Sequence, residues 1–370
     1  MPLSIENIIY FYLFICLALL VFNVLYIFRS QSRNKAQARK GQLWEKELLY
    51  ELTLLEQGKG LSDRQRKRMV NQLSDINELI ACNETLSRIS QKEPRQIRTY
   101  FLMTREAWQQ LAVIYSKKSA MERAFFAYMI ATYHPPQQRG SNMLVEIFLT
   151  YLDNSTVFCR ENVLHALYTL GSVQGVEHAL QILNDRNWYH YPRLLSDGML
   201  AFKGDREALV RRLWRHHQQW AEFLLVATVQ LAAGLSADFT AEFFSCLQKE
   251  SLPLEVRFAL IRYFQRHPYE PAQKLLLHYL TTSEGEESGL AIAAAAAMAS
   301  YPGESSRNAL KKALHSKNWY VRRNAALSLV SLGLSEQEQR EIETTGDRYA
   351  SEMLAYALAS QKAGKAVGQA

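Results

Sequence analysis

The sequence feature that most constrains the fold is a helical pattern that recurs at a nearly constant interval through the C-terminal two-thirds of the chain. Its clearest copy is the stretch 316–333, in which apolar residues recur every three or four positions. One face of such a helix carries Val321, Ala325, Leu329 and Leu332. Ser316 or Asn318 can cap its start, and Gly333 stands where a helix ends in a left-handed turn. Because its alanines allow another helix to approach closely, the pattern predicts neighbouring helices of the same kind.

Six further stretches share this pattern, in which an anchor residue is followed eleven positions later by a turn residue. The seven anchors are Arg123, Arg160, Arg193, Phe223, Arg257, Ala291 and Arg322. Consecutive anchors are separated by 37, 33, 30, 34, 34 and 31 residues. The copies at 223 and 291 lack the arginine and match least well. A period in the low thirties that is repeated seven times is typical of a solenoid of helical pairs.

The best copies resemble a known repeat family. The segment NWYVRRNAALSL at 318–329 resembles the second helix of a HEAT repeat, and LEVRFALI at 254–261 is similar to it. The short period is similar to that of the compact bacterial HEAT-like repeats of the PBS-lyase type. The resemblance covers roughly residues 121–345 and concerns the fold, because HEAT arrays carry many functions. In that family the arginine ties adjacent repeats together, which implies a repeat-stabilising role for Arg123, Arg160, Arg193, Arg257 and Arg322.

Composition bounds the class of protein. With 370 residues and 48% hydrophobic content, the chain can bury a large core, and its 16 glycines and 9 prolines argue against a disordered or fibrous chain. The four cysteines lie far apart without a CxxC pattern, which fits a reducing compartment. The nine histidines show no metal-ligand spacing, and the sequence has no glycine-rich phosphate loop, HExxH or GxSxG motif. We therefore expect no catalytic site, no metal and no cofactor.

Residues 8–28 form an apolar run with a single polar side chain, Asn23. A helix of this length reaches about 30 Å, which is the thickness of a bilayer's hydrocarbon core. Tyrosines lie toward both ends of the run, as interfacial aromatic residues do. A cleaved signal peptide would need positive charge before the run and a small-residue cleavage site after it, whereas Glu6 precedes the run and bulky residues follow. The sequence predicts a retained transmembrane anchor.

Basic residues are found on one side of the apolar run only. No Lys or Arg precedes it, and the residues that follow include Arg29, Arg33, Lys35, Arg39 and Lys40. The positive-inside rule then predicts a single-pass protein of the inner (cytoplasmic) membrane, with its N-terminus outside and its repeats in the cytoplasm. The same five residues are candidate lipid-facing groups for anionic headgroups. The alternative, that they are only a topology signal and a solvated collar, remains open.

The predicted fold class is all-α, with one N-terminal transmembrane helix followed by an α-solenoid of about seven HEAT-like repeats. Between anchor and repeats, helices are expected over 42–57, from Ser62 or Asp63 to about Ser90, and over 96–115. This section would cap the solenoid, because the end of an open array must cover its last apolar face. The predicted organisation is an anchor at 1–28, a basic juxtamembrane linker at 29–41, a helical cap region at 42–120, the repeats at 121–345, and a C-terminal capping helix with a frayed tail at 346–370.

Two groups of residues within the repeats are candidates for partner binding. They are the aromatic residues Trp188, Tyr189, Tyr191, Trp319 and Tyr320, and the basic residues Arg211, Arg212 and Arg215. Tyr and Trp are common binding anchors, although the repeated position of the aromatic residues favours packing between helix pairs. The basic group, which has an aromatic residue between its arginines, could follow phosphates, or it could be one solvated helix face.

These observations favour a non-catalytic, membrane-tethered scaffold for protein–protein interaction, whose partner is a membrane protein or complex. The resemblance to tethered bacterial HEAT-like proteins implies an accessory subunit of a membrane enzyme such as an exopolysaccharide glycosyltransferase. Two alternatives remain open. One is a nucleic-acid-binding protein similar to HEAT-like DNA glycosylases, against which the modest net charge of +7 and the membrane tether argue. The other is an enzyme similar to a bilin lyase, which would need a tetrapyrrole.

Overall fold

Helices account for all the regular secondary structure in the part of the chain that the computed structural model describes, and no β-strand occurs there. The described residues are 5–134, 143–249, 251–283 and 285–367, without the side chains of 5–9, 28, 30, 32–34, 36, 55, 56, 286 and 364–367. The all-α fold class predicted from the sequence is confirmed.

The chain divides into two units, Met1–Gly175 and Val176–Ala370. The first contains α1 (Ile5–Glu56), α2 (Asp63–Leu73), α3 (Ile76–Lys92), α4 (Pro94–Met103), α5 (Arg105–Ser116), α6 (Ala120–Tyr133), α7 (Met143–Thr150), α8 (Val157–Leu170) and the start of α9 (Val173–Asp185). The second continues with α10 (Pro192–Leu200), α11 (Arg206–Arg215), α12 (Glu222–Ala232), α13 (Thr240–Leu247), α14 (Leu254–Arg266), α15 (Glu270–Thr282), α16 (Ser288–Ala297), α17 (Glu304–Ala313), α18 (Trp319–Ser331), α19 (Glu336–Thr344) and α20 (Arg348–Val367). Short 3-10 helices occur at His217–Gln219, Gly285–Glu287 and Met298–Ser300.

The first helix, α1, joins the apolar run to the segment that the sequence predicted as a separate amphipathic helix. Its stretch Tyr10–Ile27 has a mean hydropathy of 2.3 and none of it is buried, so it is long and apolar enough to span a membrane. Segment 29–41, interpreted from the sequence as a linker, is helical as well. Gly41 is the one glycine in this segment. A glycine in a helix interior costs about 1 kcal/mol, which a helix of 52 residues can tolerate.

The C-terminal part of α1 packs on α3 and α4 and is thereby fixed to the first unit. Trp44, Leu48 and Leu52 are buried in this contact. Trp44 Nε1 donates to Glu78 Oε2 at 2.9 Å, and Lys40 Nζ pairs with Glu78 Oε1 at 2.7 Å. The apolar stretch is therefore joined to the first unit by about 20 Å of continuous helix.

A helix predicted to run from Ser62 to about Ser90 is broken into α2 and α3. Ser62 caps α2 as predicted, through a capping box with Gln65. The break follows from Asp75, whose carboxylate accepts the backbone N–H groups of the first turn of α3, at 2.7 and 3.4 Å. Such a side chain substitutes for the missing backbone acceptors at a helix start. Two short helices therefore replace the long one.

The helix predicted over 96–115 is likewise divided, into α4 and α5. Thr104 lies at the break, and its hydroxyl donates to the Tyr100 carbonyl at 2.6 Å and accepts from Trp108 Nε1 at 3.0 Å. The bend places the Trp108 ring against Phe101, with ring centroids 4.4 Å apart in a stacked arrangement. This fully buried aromatic pair belongs to the core of the first unit.

The seven anchor positions all lie within the first four residues of an even-numbered helix, from α6 to α18. In the second unit the even-numbered helices from α10 to α20 contact one another in succession. Each odd-numbered helix from α11 to α19 packs against the helix that follows it. The second unit is therefore helical repeat-like, and its even-numbered helices form one row.

Hydrogen bonds between successive helices of this row keep the period of the sequence. In each of them a side-chain donor reaches an acceptor that lies 31 to 34 residues away in the chain. The bonds are Ser196 Oγ to Gln230 Oε1 (3.1 Å), Gln265 Nε2 to the Ala296 carbonyl (3.3 Å), Asn324 Nδ2 to the Ile292 carbonyl (2.9 Å) and Gln361 Nε2 to the Val330 carbonyl (3.4 Å). Corresponding helix positions thus lie side by side.

The clearest copy of the pattern forms α18 with the predicted ends. Of the two possible caps, Asn318 accepts the backbone N–H of Tyr320 at 2.9 Å, and Gly333 adopts the left-handed conformation with a φ of 79°. Both predictions are confirmed. Within the C-terminal segment 346–370, α20 runs from Arg348 to Val367.

Candidate partner-binding groove

A groove runs along α10, α12 and α14 of the second unit. It consists of two adjoining cavities of about 780 and 440 Å³, which share Arg193, Gln230 and Arg262 as lining residues. We refer to it as the α10–α14 groove. Its principal side chains are Tyr189, Tyr191, Arg193, Asp197, Glu222, Phe223, Gln230, Glu255, Arg262 and Arg266.

Helical periodicity brings these side chains to one surface. On α14, the groove residues at 255, 259, 262 and 266 recur every three or four positions, so they share one face. The opposite face of α14 is buried and carries Val256, Leu260 and Phe264. On α12 and at the residue that caps its end, positions 222, 226, 230 and 233 recur in the same way. The core packing of α12 and α14 therefore fixes which residues the groove presents.

Aromatic side chains define one end of the groove. Tyr189 and Tyr191 lie in the segment that leads into α10, and they are 62% and 66% exposed. The Tyr189 ring lies beside Phe223 of α12, with centroids 5.3 Å apart. Trp188 is half-buried beneath the Arg186 guanidinium, at 4.9 Å, and does not line either cavity. Tyr189 thus contacts the next even-numbered helix, and both tyrosines still keep more than half of their surface exposed.

Arginines line the middle and the other end of the groove. Arg193 Nε pairs with Asp197 Oδ2, four residues further along the same helix, at 3.5 Å. Arg262 and Arg266 are exposed, and neither has an ion pair or hydrogen bond with any residue that the structure describes. The acids Glu222 and Glu255 lie in the first turns of their helices, where the helix dipole stabilises negative charge. The groove is therefore acidic and aromatic at one end and basic at the other.

The other predicted partner-binding residues lie outside the groove. Trp319 and Tyr320 are exposed and contact each other edge to face, with centroids 5.0 Å apart. Arg211 is held by Glu207 at 2.8 Å and Glu242 at 3.5 Å, and the Glu207 carboxylate raises the pKa of the Arg211 guanidinium. Arg212 pairs with Glu177, whereas Arg215 has no partner in the described part of the chain. Much of the charge of this basic group is therefore compensated by carboxylates.

The five arginines expected to stabilise the repeats differ in their surroundings. Four make contacts with turns or neighbouring segments: Arg123 with the carbonyls of Asp153 (2.8 Å) and Asn154 (3.1 Å), Arg160 with that of Ser155 (3.0 Å), Arg257 with Glu287 (3.3 Å), and Arg322 with the carbonyls of Ser316 (2.6 Å) and Lys317 (3.2 Å). The fifth, Arg193, has a side chain that is 76% exposed and lines the groove. Arg307, which the sequence pattern did not indicate, donates to the Leu332 carbonyl at 2.7 Å and pairs with Glu338 at 3.2 Å.

The basic residues after the apolar stretch lie on α1. Arg29, Lys35 and Arg39 are exposed, and Lys40 is occupied by its ion pair with Glu78. The side chain of Arg33 lies outside the described residues. Three of the five candidate lipid-facing residues are thus exposed to contact anionic groups.

A separate cavity, of about 590 Å³, lies between α1, α2 and α3 in the first unit. One of its lining residues, Glu51, is a buried carboxyl group that accepts a hydrogen bond from Tyr100 Oη at 2.9 Å. Desolvation raises the pKa of Glu51 to about 7, the Tyr100 hydrogen bond lowers it, the Glu47 carboxylate adds to the rise and Arg68 opposes it. Glu51 therefore titrates near neutral pH.

Histidine, cysteine and carboxylate side chains do not cluster among the described residues. No group of three or more His, Cys, Asp or Glu among them could hold a metal ion. Cys82, Cys159 and Cys246 are buried free thiols, and burial raises the pKa of each. No model of a known protein family matches the chain, and no curated protein matches it. Fold and surface together define an all-helical, repeat-like protein with an open groove and one helix long and apolar enough to cross a membrane.

Sequence reasoning missed Arg262 and Arg266 of α14 and Gln230 of α12. A signal for Arg262 and Arg266 was present, because they are spaced four residues apart on the polar side of a strongly amphipathic helix. Nothing local marks Gln230, since its relevance depends on α10 and α14 lying on either side of α12. The groove is thus a property of the helix row rather than of any one motif.

Proposed function

We propose that the protein is a non-catalytic, membrane-tethered scaffold whose α10–α14 groove binds a partner protein at the membrane. The observation that carries this proposal is the exposure of Tyr189 and Tyr191 at the edge of an open groove. Exposed aromatic side chains beside a concave surface are typical anchors of protein interfaces, because they bury much apolar area for little lost rotamer entropy.

The proposed architecture is a HEAT-like solenoid of the short bacterial type, in which the even-numbered helices are the second helices of the repeats. Its support is threefold: the seven anchors begin even-numbered helices, the row of helices is continuous in the second unit, and hydrogen bonds recur at 31 to 34 residues. Repeat arrays present extended surfaces for large contacts. The groove lies on the row formed by these helices.

The proposed location is the bacterial cytoplasmic membrane, with the N-terminus outside and both units in the cytoplasm. The apolar exposed stretch Tyr10–Ile27 would be the anchor, and the basic residues after it give the orientation. Because α1 is continuous, it would hold the first unit at a fixed distance from the bilayer. A tether of this kind raises the effective concentration of membrane-bound partners around the groove.

The partner we propose is a membrane protein or complex, and the resemblance to tethered HEAT-like proteins makes an exopolysaccharide glycosyltransferase the preferred candidate. Compensation of Arg211 and Arg212 by carboxylates argues against nucleic acid as the ligand. The carboxylates of Glu222 and Glu255 in the groove also argue against nucleic acid, since they would repel a continuous phosphate backbone. No observation favours a bilin lyase.

The orientation predicts a protease-protection result. We expect trypsin added to intact spheroplasts to leave the fragment from residue 42 onward uncut, because it would lie behind the membrane. After permeabilisation the same fragment should be degraded. Immunoblotting checks both states, with one periplasmic and one cytoplasmic marker protein as controls. Digestion of the fragment in intact spheroplasts would place the units outside and contradict the orientation.

The groove predicts loss of partner recovery on removal of its aromatic residues. Full-length protein purified in mild detergent should bring down a membrane protein that is identified by mass spectrometry. The double variant Tyr189→Ala and Tyr191→Ala should recover at least tenfold less, because anchor residues of an interface contribute about 2 kcal/mol or more each. Tyr356→Ala is the matched control, since Tyr356 is exposed on α20 away from the groove.

Two results of this experiment would count against the scaffold. If wild-type protein brings down no membrane protein, the proposed function fails. If the same membrane protein is recovered equally with wild type and with the double variant, the partner binds elsewhere. Circular dichroism of each variant checks that the helical content is unchanged, as expected for substitutions of exposed side chains.

A further inference from the structure

Two arginines of the groove lack the acidic partners that several other exposed arginines of the second unit have. Arg262 and Arg266 lie one turn apart on α14, and no described residue pairs with either of them. By contrast, Arg211 pairs with Glu207 at 2.8 Å and Arg348 with Glu352 at 2.6 Å, each within its own helix. The two arginines of the groove therefore keep their hydrogen-bond donors available.

Further donors lie next to them. Arg193 lines the same two cavities as Arg262 and forms an ion pair with Asp197 at 3.5 Å. This ion pair is weak, because more than half of each side chain is exposed to solvent. The side-chain amide of Gln230, which lies 3.1 Å from Ser196 Oγ, adds a polar group that lines both cavities. This arrangement of donors suits carboxylate groups, because the planar guanidinium binds a carboxylate through two parallel hydrogen bonds.

The aromatic end of the groove suits an apolar part of a ligand rather than a charged one. Tyr189, Tyr191 and Phe223 offer apolar surface, and the nearby Glu222 and Glu255 disfavour a ligand that is negative along its whole length. A peptide can combine carboxylates and an apolar side chain within a few residues and need not be charged along its whole length. A nucleic acid, whose bases can also stack on aromatic rings, carries a phosphate at every nucleotide. We infer that the occupant of the α10–α14 groove is an acidic segment of a partner protein, with its carboxylates on Arg262 and Arg266 and an apolar or aromatic side chain beside Tyr189 and Tyr191.

This inference rests on the proposed scaffold function and specifies its ligand. Neighbouring helices are about 8 to 10 Å apart, so crossing from α10 to α14 takes about 20 Å. An extended chain covers that distance in about six residues. The segment would therefore be short, and the tether would supply much of the overall affinity by concentrating the two proteins in one membrane.

The test uses full-length protein in detergent and three fluorescein-labelled probes. These are a six-residue peptide of Glu and Asp with one Trp, the same peptide with Gln and Asn in place of the acids, and an oligonucleotide of ten thymidines. Fluorescence anisotropy at low ionic strength measures binding. We expect the acidic peptide to bind at least tenfold more tightly than the other two, and to lose affinity as salt is added.

Variants of the groove locate the contact. Arg262→Gln and Arg266→Gln should each weaken binding of the acidic peptide by about tenfold, as expected for loss of one charge-assisted pair. Arg215→Gln is the matched control, because Arg215 is also exposed and without a partner among the described residues but lies outside the groove. It should bind like wild type.

The inference is overturned if the acidic peptide does not bind at millimolar concentration, if the neutral peptide or the oligonucleotide binds as tightly, or if both groove variants bind like wild type. Its failure can be told apart from failure of the scaffold. Recovery of a membrane protein that depends on Tyr189 and Tyr191 but not on Arg262 or Arg266 would retain the scaffold and exclude an acidic ligand.

Discussion

Replacing Glu51 with Gln is expected to stabilise the first unit at pH 8 by about 3 kcal/mol and to leave its stability almost unchanged at pH 4.5. The reason is that burial raises the pKa of this carboxyl group from 4.5 to about 7 in the folded protein. Between these two values the folded state keeps a proton that the unfolded state has released. Stability therefore falls as the pH rises through this window, and above about pH 7 the folded state carries the full cost of a buried carboxylate.

The variant removes this dependence because a glutamine side chain does not titrate. Its carbonyl oxygen can still accept the hydrogen bond that Tyr100 Oη donates to Glu51 at 2.9 Å. Burial also raises the pKa of Tyr100, so its hydroxyl remains protonated and available as the donor throughout this range. The difference in unfolding free energy between variant and wild type should thus grow from pH 4.5 to about pH 7 and then level off.

The full-length protein is unfolded with urea in detergent, and hydrogen exchange is monitored in peptides that cover α3 and α4. This measures the unfolding free energy of the first unit separately from that of the second. Glu45→Gln is the matched control, since Glu45 lies on the same helix but its side chain is 45% exposed beside Arg88, at 3.4 Å. The unfolding free energy of Glu45→Gln should change with pH in the same way as that of wild type. Parallel curves for Glu51→Gln and wild type across the whole range would show that Glu51 has no raised pKa in the folded state.

Much of the fold of the second unit could be predicted because each helix carries its own signals. In α18, the apolar spacing, the Asn318 cap and the left-handed Gly333 are all local features. The period was also visible, since corresponding positions of successive helices need similar residues in order to pack side by side. Phe223 and Ala291, the anchors without arginine, nonetheless begin α12 and α16.

The continuity of α1 could not be predicted from local sequence. Segment 29–41 is polar and contains no apolar stripe that would indicate a helix. What holds this helix in place is tertiary: Trp44 and Lys40 both contact Glu78, which lies 34 and 38 positions further along the chain. The breaks at Asp75 and Thr104 were missed for the opposite reason, because each depends on a single polar side chain within a helical pattern.

The candidate site was predicted only in its local part. Tyr189 and Tyr191 stand out in one short aromatic segment, whereas Arg193, Gln230 and Arg262 belong to three helices spaced by about one repeat each. Arg193 also shows the limit of arguing from repeat position. The family pattern implied a structural role for it, yet its side chain is exposed in the groove and its ion pair lies within its own helix.

The second large expected effect is a loss of stability when a longer side chain is placed on α16, where the even-numbered helices approach one another closely. Ala295 is fully buried, and its carbonyl accepts a hydrogen bond from Ser328 Oγ of α18 at 2.7 Å. This bond brings the backbone of α16 close to α18, so a longer side chain at this fully buried position would press on the neighbouring helices. Ala295→Leu should therefore destabilise the second unit by about 2 to 3 kcal/mol, because extra carbons in a packed site force neighbouring helices apart.

A matched substitution on the same helix separates packing from helix propensity. Ala293 lies on the opposite, half-buried side of α16, so Ala293→Leu adds the same atoms where space is available and should cost less than about 1 kcal/mol. Urea unfolding with hydrogen exchange in peptides covering α14 to α18 measures both variants. Equal stability of the two would mean that α16 is not confined between its neighbours. Destabilisation by Ala295→Leu alone would show that small side chains set the helix spacing in this row, and hence the width of any surface formed along it.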